Sequence, residues 1–203
     1  MIELHCFGES GNAYKAALPL ELSGLDWRPV LVDFFRGGAR RPEFRALNPM
    51  GEVPVLVEGE TVITQSGAIQ DWLSARTGRF GGETEAERRE VWRWVLWDNS
   101  KMSGIGGPRR FLMNFAPQDK RPAQVIEWLG GRLEAGLAVL DAHLEGRQWI
   151  VGAGPTNADF SCCGYLFYPE PFGFDRAAWP AIDAWLARIE ALPGWRPPYA
   201  LMP

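Results

Sequence analysis

The sequence predicts two domains of different class, an α+β domain at the N-terminus followed by an all-helical bundle. Within residues 1–77, short strand-type runs alternate with helical stretches and turn residues. After a glycine-rich connector, strand patterns nearly vanish and apolar residues recur at helical spacing from Glu85 onward. We therefore expect an N-terminal domain over residues 1–77, a linker over 78–85 and a helical domain over 86–203.

The first half of the N-terminal domain is predicted to hold two strands and two helices in alternation, over 2–7, 12–24, 27–34 and 42–47. Pro19 lies inside the first helix, where it removes a backbone hydrogen bond and predicts a kink. Pro42 stands in the first turn of the second helix, a position that favours proline, and Asn48-Pro49 ends that helix.

The second half of this domain reads as a hairpin followed by a helix. Val53–Val57 and Thr61–Thr64 flank the tight turn Glu58-Gly59-Glu60. A helix is predicted over Ser66–Ala75, with its apolar residues on one face. The predicted order of elements is therefore β-α-β-α-β-β-α.

The helical domain has one clear start signal. Thr156-Asn157-Ala158-Asp159 places a hydroxyl at the N-cap and a carboxylate three residues later, as a reciprocal capping box requires. A helix is expected to begin there and run toward Tyr168. A final helix is predicted over Pro180–Leu192, and Arg196–Pro203 is expected to be irregular.

Charge and hydropathy exclude two classes of partner. Lys and Arg number 21 against 25 Asp and Glu, a net charge of −4, so no general attraction to a phosphate backbone is expected. The longest stretch without a charged residue, from Gln148 to Ala158, is 11 residues, and a membrane-spanning helix needs about 20. We expect neither a nucleic-acid nor a membrane partner.

The N-terminus and the cysteines indicate a cytoplasmic protein. Glu3 and Glu9 interrupt the apolar core that a signal peptide would need. The 3 cysteines are an odd number, and Cys162 and Cys163 are adjacent, so a disulfide framework is not expected. No Cys-x-x-Cys is present and the histidines lack partners at zinc-ligand spacing. We expect no metal site.

Pro54 is unusual inside a strand-like run, because proline cannot donate to a sheet ladder. A cis Val53-Pro54 peptide is one explanation, and it would leave the Val53 N–H and C=O free to pair with an extended peptide-like ligand. A proline that merely opens the strand is the other explanation. The sequence leaves both open.

Two serines are predicted at helix N-termini, where free N–H groups and the positive end of the helix dipole attract anions. Ser66, after Gln65, could hold a carboxylate, and the Ser10 hydroxyl could stabilise a thiolate. Either serine could instead be an ordinary N-cap, and so could Asn12.

The order and spacing of these motifs resemble those of the cytosolic glutathione transferases, over essentially the whole chain. The resemblance is carried by the capping box, by the run Asn48-Pro49-Met50-Gly51-Glu52-Val53-Pro54-Val55-Leu56 and by Gln65-Ser66-Gly67-Ala68-Ile69. It implies a thioredoxin-like N-terminal domain, a helical C-terminal domain, reduced glutathione as co-substrate, and a homodimer.

The resemblance also implies roles for individual residues. Ser10 would activate the glutathione sulfur as in the serine-type members, with Asn12 as the alternative donor. Val53 would pair by its backbone with the cysteinyl part of glutathione before a cis Pro54. Gln65 and Ser66 would hold the γ-glutamyl carboxylate.

The chemistry of glutathione agrees with these roles. Its thiol has a free pKa of about 8.5, and lowering it by about 2 units requires about 2.7 kcal/mol, which a helix N-terminus and one hydroxyl donor can supply together. Arg36 or Arg40 could hold the glycyl carboxylate or could be solvated surface residues. Glu52 stands where the family often has Gln or Lys, which predicts weak affinity at the glycyl side. Cys6, in the first strand, is expected to be a buried residue and not a redox thiol.

The electrophile pocket is expected between the domains, lined by residues of the helices after the linker: Trp97, Met102, Ile105, Arg109 and Phe111. Tryptophans such as those of this region more often pack in the core or at a dimer interface than line a substrate site. Asp98 could reach the glutathione amine of a partner subunit, or it could be an exposed helix acid.

The leading expectation is therefore glutathione conjugation, in which a thiolate held by Ser10 attacks a small hydrophobic electrophile. The same site could serve isomerisation or dehalogenation. The alternatives from other classes are a catalytically weak glutathione-binding or protein-interaction module and a helical scaffold.

Overall fold

A computed structural model describes residues 1–203, and these divide into two units. Unit 1 comprises Met1–Gly81 together with Leu192–Pro203, and unit 2 comprises Gly82–Ala191. The predicted helical domain includes residues 192–203. In the structure these residues group instead with the N-terminal unit.

Unit 1 contains a four-stranded sheet and four helices, in the order β1 Ile2–Cys6, α1 Gly11–Ser23, β2 Trp27–Leu31, α2 Pro42–Leu47, β3 Val55–Glu58, β4 Thr61–Thr64 and α3 Ser66–Thr77, with α9 Pro198–Leu201 at its end. Two short 3₁₀ turns, Phe34–Arg36 and Gly38–Arg40, join β2 to α2. The predicted β-α-β-α-β-β-α order is confirmed over its whole length.

The sheet has the strand order β2-β1-β3-β4. β1 runs parallel to β2 and antiparallel to β3, and β3 and β4 form an antiparallel hairpin. This mixed arrangement, with α1 packed against α3, is that of a thioredoxin-like domain. Pro29 lies in β2, an edge strand, which is where a sheet tolerates a residue that has no N–H to donate.

Apolar residues at alternate positions of β1 form the centre of the unit 1 core. Ile2, Leu4 and Cys6 are buried, and in the centre of the sheet Leu4 pairs with Leu56. A second buried cluster under the β2–α2 connection contains Val32, Phe44 and Val55. Because successive side chains of a strand point to opposite faces, these alternate residues share one face of β1, and that face is buried.

Unit 2 consists of helices α4 Glu85–Lys101, α5 Ser103–Asn114, α6 Ala123–Leu144, α7 Asn157–Cys162 and α8 Pro180–Glu190. α4 packs against α5, α6 and α7, and α6 also packs against α5 and α8. None of these helices, nor those of unit 1, combines the length and apolar character needed to cross a membrane.

The predicted capping box at Thr156–Asp159 is present and fully buried. The Asp159 carboxylate accepts four hydrogen bonds: from the Ile150 N–H at 2.9 Å, the Thr156 N–H at 2.8 Å, the Thr156 hydroxyl at 3.0 Å and the Trp185 indole N–H at 2.9 Å. Burial raises the pKa of this carboxyl to about 6 although these donors favour its charged form.

Two expectations about helix ends were wrong. The helix that begins at Asn157 ends at Cys162 and does not reach Tyr168, because the chain turns tightly there, with the Gly164 N–H bonded to the Ser161 carbonyl. The C-terminal segment is not irregular, since Pro198 opens the short helix α9.

The C-terminal segment packs on unit 1 through α1 and the turn before it. The Tyr14 hydroxyl, on α1, donates to the Arg196 carbonyl at 2.8 Å. The Gly8 N–H donates to the Pro203 carbonyl at 2.6 Å, and a Cβ at Gly8 would lie 3.0 Å from the Tyr199 ring. These contacts hold the segment against the turn that precedes Ser10.

Candidate functional site

Strand register brings three sequence motifs to one end of the sheet of unit 1. His5 near the end of β1 pairs with Val55 at the start of β3, and Val55 pairs with Thr64 at the end of β4. The turn after β1, the residues before β3 and the residues after β4 therefore share this end, which we call the site end. It carries Ser10, Val53-Pro54 and Gln65-Ser66 respectively.

Ser10 is the N-cap of α1 and is almost completely buried. Its backbone is extended, with φ −84° and ψ 102°, and its Oγ accepts a hydrogen bond from the Ala13 N–H at 3.1 Å. The capping role that the sequence left open is therefore present. A hydroxyl that accepts at its oxygen still carries a proton to donate, so capping and thiolate stabilisation are compatible. Asn12, in the first turn of α1, is half-buried.

The Val53-Pro54 peptide bond is cis. Pro54 also directly precedes β3, whose pairing with β1 and β4 begins at Val55. Val53 is half-buried and lies outside the ladder. Its backbone groups are therefore placed at the site end without a strand partner, as recognition of an extended peptide by strand addition requires.

Gln65 and Ser66 form the start of α3. Gln65 adopts φ 70° and ψ 124°, and a non-glycine residue at positive φ is uncommon and concentrated at functional positions. Ser66 is the first residue of the helix and is buried. α3 has no side-chain N-cap hydrogen bond and no acidic residue in its first turn. Its N-terminus is therefore suited to an external anion.

Asn48 organises the loop that leads into Val53, and sequence reasoning missed its role. The side chain is buried; its Nδ2 donates to the Glu52 carbonyl at 2.8 Å and its Oδ1 accepts from the Met50 N–H at 3.1 Å. Gly51 has φ 68°, and a Cβ there would lie 3.0 Å from the Ala39 carbonyl oxygen. The Asn-Pro-x-Gly pattern is the signal that could have identified this fixed turn.

An aromatic cluster next to Ser10 was also missed. Phe7 stacks on Phe34 at a centroid distance of 4.7 Å, and Phe35 meets both rings edge-on at 5.9 Å. The Ser10 N–H donates to the Phe7 carbonyl at 3.1 Å, and Phe34 and Phe35 are partly exposed. The signal in the sequence is the Phe-Phe pair in the connection after β2.

The two candidate arginines lie at the surface of the same connection. Arg36 is largely exposed, and its Nε lies 4.0 Å from Asp33 Oδ2. Arg40 ends the second 3₁₀ turn and is exposed as well. Neither is held in a fixed position by a buried partner.

The residues expected to line the electrophile pocket have different environments within unit 2. Met102 and Ile105 are buried, and a Cβ at Gly136 of α6 would lie 3.0 Å from Met102 Sδ. Arg109 donates to the Ile126 carbonyl at 3.1 Å and to the Phe172 carbonyl, and burial lowers the pKa of its guanidinium. These residues support the helical core.

The other two pocket candidates retain accessible surface. Trp97 is half-buried and meets Trp94 edge-on at a centroid distance of 5.0 Å, whereas Phe111 is 42% exposed. The structure of unit 2 therefore separates the candidate set into core residues and accessible aromatic residues.

Asp98 is neither an exposed acid nor available to a ligand. It is 0% exposed, and its Oδ1 accepts a hydrogen bond of 2.8 Å from the Ser103 hydroxyl at the start of α5. Both sequence-based alternatives for Asp98 were wrong, because the residue lies on the buried face of α4 together with Val91 and Val95.

The cysteines are free thiols in the interior. Burial raises the pKa of the Cys6 thiol to about 12, so it is protonated at neutral pH. No group of three or more His, Cys, Asp and Glu side chains is close enough together to hold a metal ion.

The comparisons with known proteins agree with this architecture. Residues 10–76 match the family model of the glutathione S-transferase N-terminal domain, and residues 110–193 match that of the C-terminal domain. The chain is 30% identical over 200 residues to the disulfide-bond oxidoreductase YfcG of Escherichia coli, covering 95% of this chain and 92% of the relative.

A second relative and a solved structure extend the comparison. The maleylacetoacetate isomerase of Pseudomonas aeruginosa is 30% identical over 205 residues, covering 96% of this chain and 94% of the relative. A glutathione transferase family member from Pseudomonas fluorescens, solved with two glutathione molecules bound, has a TM-score of 0.85 and 25% identity, covering 100% of this chain and 93% of that one. The chain belongs to the glutathione S-transferase family.

Proposed function

We propose that this protein binds reduced glutathione at the site end of unit 1 and conjugates it to small hydrophobic electrophiles. The observation that carries the proposal is the strand register, which places Ser10, Val53 and Ser66 at one end of the sheet. Glutathione offers a thiol, an extended peptide and a terminal carboxylate, and each of these three positions suits one of those groups.

Ser66 and the N-terminus of α3 would hold the γ-glutamyl carboxylate, because free helical N–H groups and a hydroxyl favour an anion there. The Val53 N–H and C=O would pair with the cysteinyl backbone as a further strand would. The second carboxylate of glutathione, at the glycyl end, also needs a positive partner, and Arg36 or Arg40 is proposed for it.

The thiol would lie at the N-terminus of α1, near Ser10. A hydrogen bond donated by the Ser10 hydroxyl to the sulfur, with Asn12 as the alternative donor, stabilises the thiolate over the thiol. The thiol proton passes to solvent, the sulfur forms a bond to the electrophilic carbon, and the leaving group departs with the electron pair of the broken bond. The aromatic cluster of Phe7, Phe34 and Phe35 offers an apolar surface beside this sulfur.

The relatives favour a second candidate, glutathione-dependent thiol–disulfide exchange. One relative is named as a disulfide-bond oxidoreductase. Because Cys6 is buried with a raised pKa, the attacking thiolate in such a reaction would be that of glutathione. Another relative is named as a maleylacetoacetate isomerase, which supports isomerisation as a further candidate reaction. The activated thiolate is common to all three reactions.

We also propose a homodimer that acts in the cytoplasm in detoxification. Size-exclusion chromatography with light scattering would give a mass of about twice 22.7 kDa for the dimer. A mass of one chain would remove the dimer from the proposal without affecting the site in unit 1.

Calorimetric titration with reduced glutathione tests the central proposal. The natural protein is expected to bind, and Ser66→Ala is expected to weaken binding. Turnover is then measured with a chlorodinitrobenzene and with a small mixed disulfide, which separates conjugation from exchange. Absence of glutathione binding by the folded natural protein would contradict the proposal, and binding without turnover of any electrophile or disulfide would favour the binding-module alternative.

A further inference from the structure

We propose that Tyr199 is a positioning residue for the thiolate of bound glutathione, because its ring holds the turn that leads to Ser10. The inference rests on the proposed function and deepens it, since it names a residue outside the site motifs that sets how strongly the sulfur is activated. Tyr199 acts through the position of the Ser10 hydroxyl and not by contact with the sulfur.

The contact lies between Tyr199 in α9 and Gly8 in the turn between β1 and α1. Gly8 is buried, and a Cβ at this residue would lie 3.0 Å from Cδ1 and 3.3 Å from Cε1 of the Tyr199 ring. The ring therefore lies against the glycine with no space for a side chain between them. The φ of Gly8 is not positive, so its backbone conformation is open to other residues. The approach of the ring, and not the conformation of the turn, thus favours glycine at this position.

The turn that contains Gly8 also fixes the start of α1. The Gly8 N–H donates to the Pro203 carbonyl at 2.6 Å. Two residues later, the Ser10 N–H donates to the Phe7 carbonyl at 3.1 Å. The Ser10 Oγ then accepts the Ala13 N–H at 3.1 Å. Because Gly8 and Ser10 belong to one short hydrogen-bonded turn, a displacement of the glycine also displaces the Ser10 hydroxyl.

The segment that carries Tyr199 is fixed on α1 by contacts outside this turn. The buried Tyr14 side chain of α1 donates its hydroxyl to the Arg196 carbonyl at 2.8 Å. Leu201 and Met202 are buried, and α9 packs against α1. The segment can therefore serve as a fixed support for the Tyr199 ring.

A small displacement of Ser10 matters because a hydrogen bond weakens steeply as its distance and angle depart from the optimum. Donors that are already in place stabilise a negative charge most, since nothing has to reorient when the charge forms. Removal of the Tyr199 ring leaves a gap beside Gly8 into which the turn can relax. The thiolate then loses part of its stabilisation relative to the thiol, and the pKa of bound glutathione rises.

The test measures the pKa of bound glutathione from the thiolate absorbance, together with kcat and the KM for glutathione over the same pH range. The first variants are Tyr199→Ala and Tyr199→Phe, which retains the ring. Trp128→Ala is the matched control, since it removes an exposed ring from α6 in unit 2. Gly8→Ala is an independent variant, because its Cβ separates the turn from the ring. Thermal denaturation confirms that each variant is folded.

Tyr199→Ala and Gly8→Ala are expected to raise the pKa of bound glutathione by about 0.5 to 1 unit. At a pH below this pKa, kcat should fall about three- to tenfold, and at a higher pH it should recover because the thiolate then forms. The KM for glutathione should stay within about twofold, since Val53 and Ser66 still bind the rest of the ligand. Tyr199→Phe and Trp128→Ala should behave as the natural protein does.

The double variant Ser10→Ala/Tyr199→Ala separates positioning from a merely structural role. Its pKa for bound glutathione should equal that of Ser10→Ala, because Tyr199 acts through the Ser10 hydroxyl. Absence of glutathione binding by the folded natural protein would overturn the proposed function, and this inference with it. Glutathione binding with an unchanged pKa in Tyr199→Ala or in Gly8→Ala would overturn the inference alone, and so would a further rise in the double variant.

Discussion

The N-termini of α3 and α7 each carry a hydroxyl residue, Ser66 as the first residue of α3 and Thr156 as the N-cap of α7, but only α7 has a capping box. At α7 the Thr156–Asp159 capping box satisfies the free N–H groups internally, and the whole motif is buried. At α3 Ser66 follows a residue with positive φ, and the first turn contains neither a side-chain cap nor an acid. The carboxylate three residues after Thr156 completes the cap at α7, and because α3 has no such carboxylate, its first N–H groups are not capped by a side chain.

The N-terminus of α1 lies between these two cases. Ser10 caps its own helix by accepting the Ala13 N–H, but the first turn of α1 also has no acidic residue. Its hydroxyl can therefore serve the fold and a ligand together. This intermediate position explains why Ser10 could not be assigned to one role from the sequence.

The largest effect is expected from removing the carboxylate of the internal cap. Asp159→Ala leaves four buried donors without their acceptor and should lower the free energy of unfolding at pH 7 by about 4 kcal/mol. Urea denaturation measures the loss. The control is Glu87→Ala at the exposed capping box of α4, where about 1 kcal/mol is expected. Equal losses at both boxes would contradict the distinction between buried and exposed caps.

The pH dependence of stability gives a second test of the buried Asp159 carboxyl. The pKa of Asp159 is about 6 in the folded protein and 3.8 ordinarily, so the folded protein binds this proton more tightly than the unfolded chain does. The tighter proton binding by Asp159 stabilises the folded protein in full below the pKa of the unfolded chain. This stabilisation is lost as the pH rises through the folded pKa, and the total loss is about 3 kcal/mol. Urea denaturation at several pH values should show the natural protein losing this amount relative to Asp159→Asn. Parallel curves would mean that the carboxyl titrates normally.

At α1, the change Ser10→Ala tests the shared role. It should raise the pKa of bound glutathione by about 1 to 2 units and reduce turnover at neutral pH about 10- to 100-fold, because the thiolate loses a donor. The thiolate absorbance as a function of pH gives this pKa. Ser10→Thr, which retains a hydroxyl, should keep a low pKa. An unchanged pKa in Ser10→Ala would transfer the role to Asn12 or to the backbone.

At α3, Ser66→Ala should reduce glutathione affinity about tenfold, because a hydrogen bond to a charged carboxylate is lost. The free energy of unfolding should change by less than about 0.5 kcal/mol, since Ser66 has no capping hydrogen bond to lose. Calorimetry and urea denaturation provide the two readings. A large loss of stability without a change in affinity would show that α3 starts with a structural cap as α7 does.

The smallest effect is expected at the aromatic cluster. Phe35→Ala should raise KM for an aromatic electrophile several-fold, because apolar contact surface is lost, and should leave glutathione affinity unchanged. Steady-state kinetics with both substrates varied separates the two constants. Phe111→Ala, at a similarly exposed ring in unit 2, tests the original pocket assignment, which a rise in KM confined to this variant would support.

Most of the fold followed from local patterns. Alternation in β1, the β3–β4 turn and the helical spacing of α3 are local signals, and they predicted seven elements of unit 1 in order. The site motifs were found in the same way, because Val53-Pro54 and Gln65-Ser66 are short runs in fixed order. Strand register then brought them together, as a thioredoxin-like topology requires.

The features that were missed depend on contacts distant in sequence. Asp98 is the exception, because it lies at helical spacing from Val91 and Val95 on the buried face of α4. Its partner there is the Ser103 hydroxyl at the start of α5. The helix α9 is too short to show periodicity, and its position depends on Tyr14 and Gly8, far away in the chain. The pairing of Glu52 with Gln65 likewise requires the loop held by Asn48.

The contact of the Pro203 carbonyl with Gly8 has a consequence for synthesis on the ribosome. Unit 1 is discontinuous, so residues 192–203 are made only after all of unit 2. The turn that leads to Ser10 therefore lacks the Gly8–Pro203 bond, and Tyr14 lacks its acceptor at Arg196, while residues 82–191 are translated. The helix that begins after Ser10 gains these contacts only once residues 192–203 have left the ribosome, so the rest of unit 1 is made before this turn is fixed.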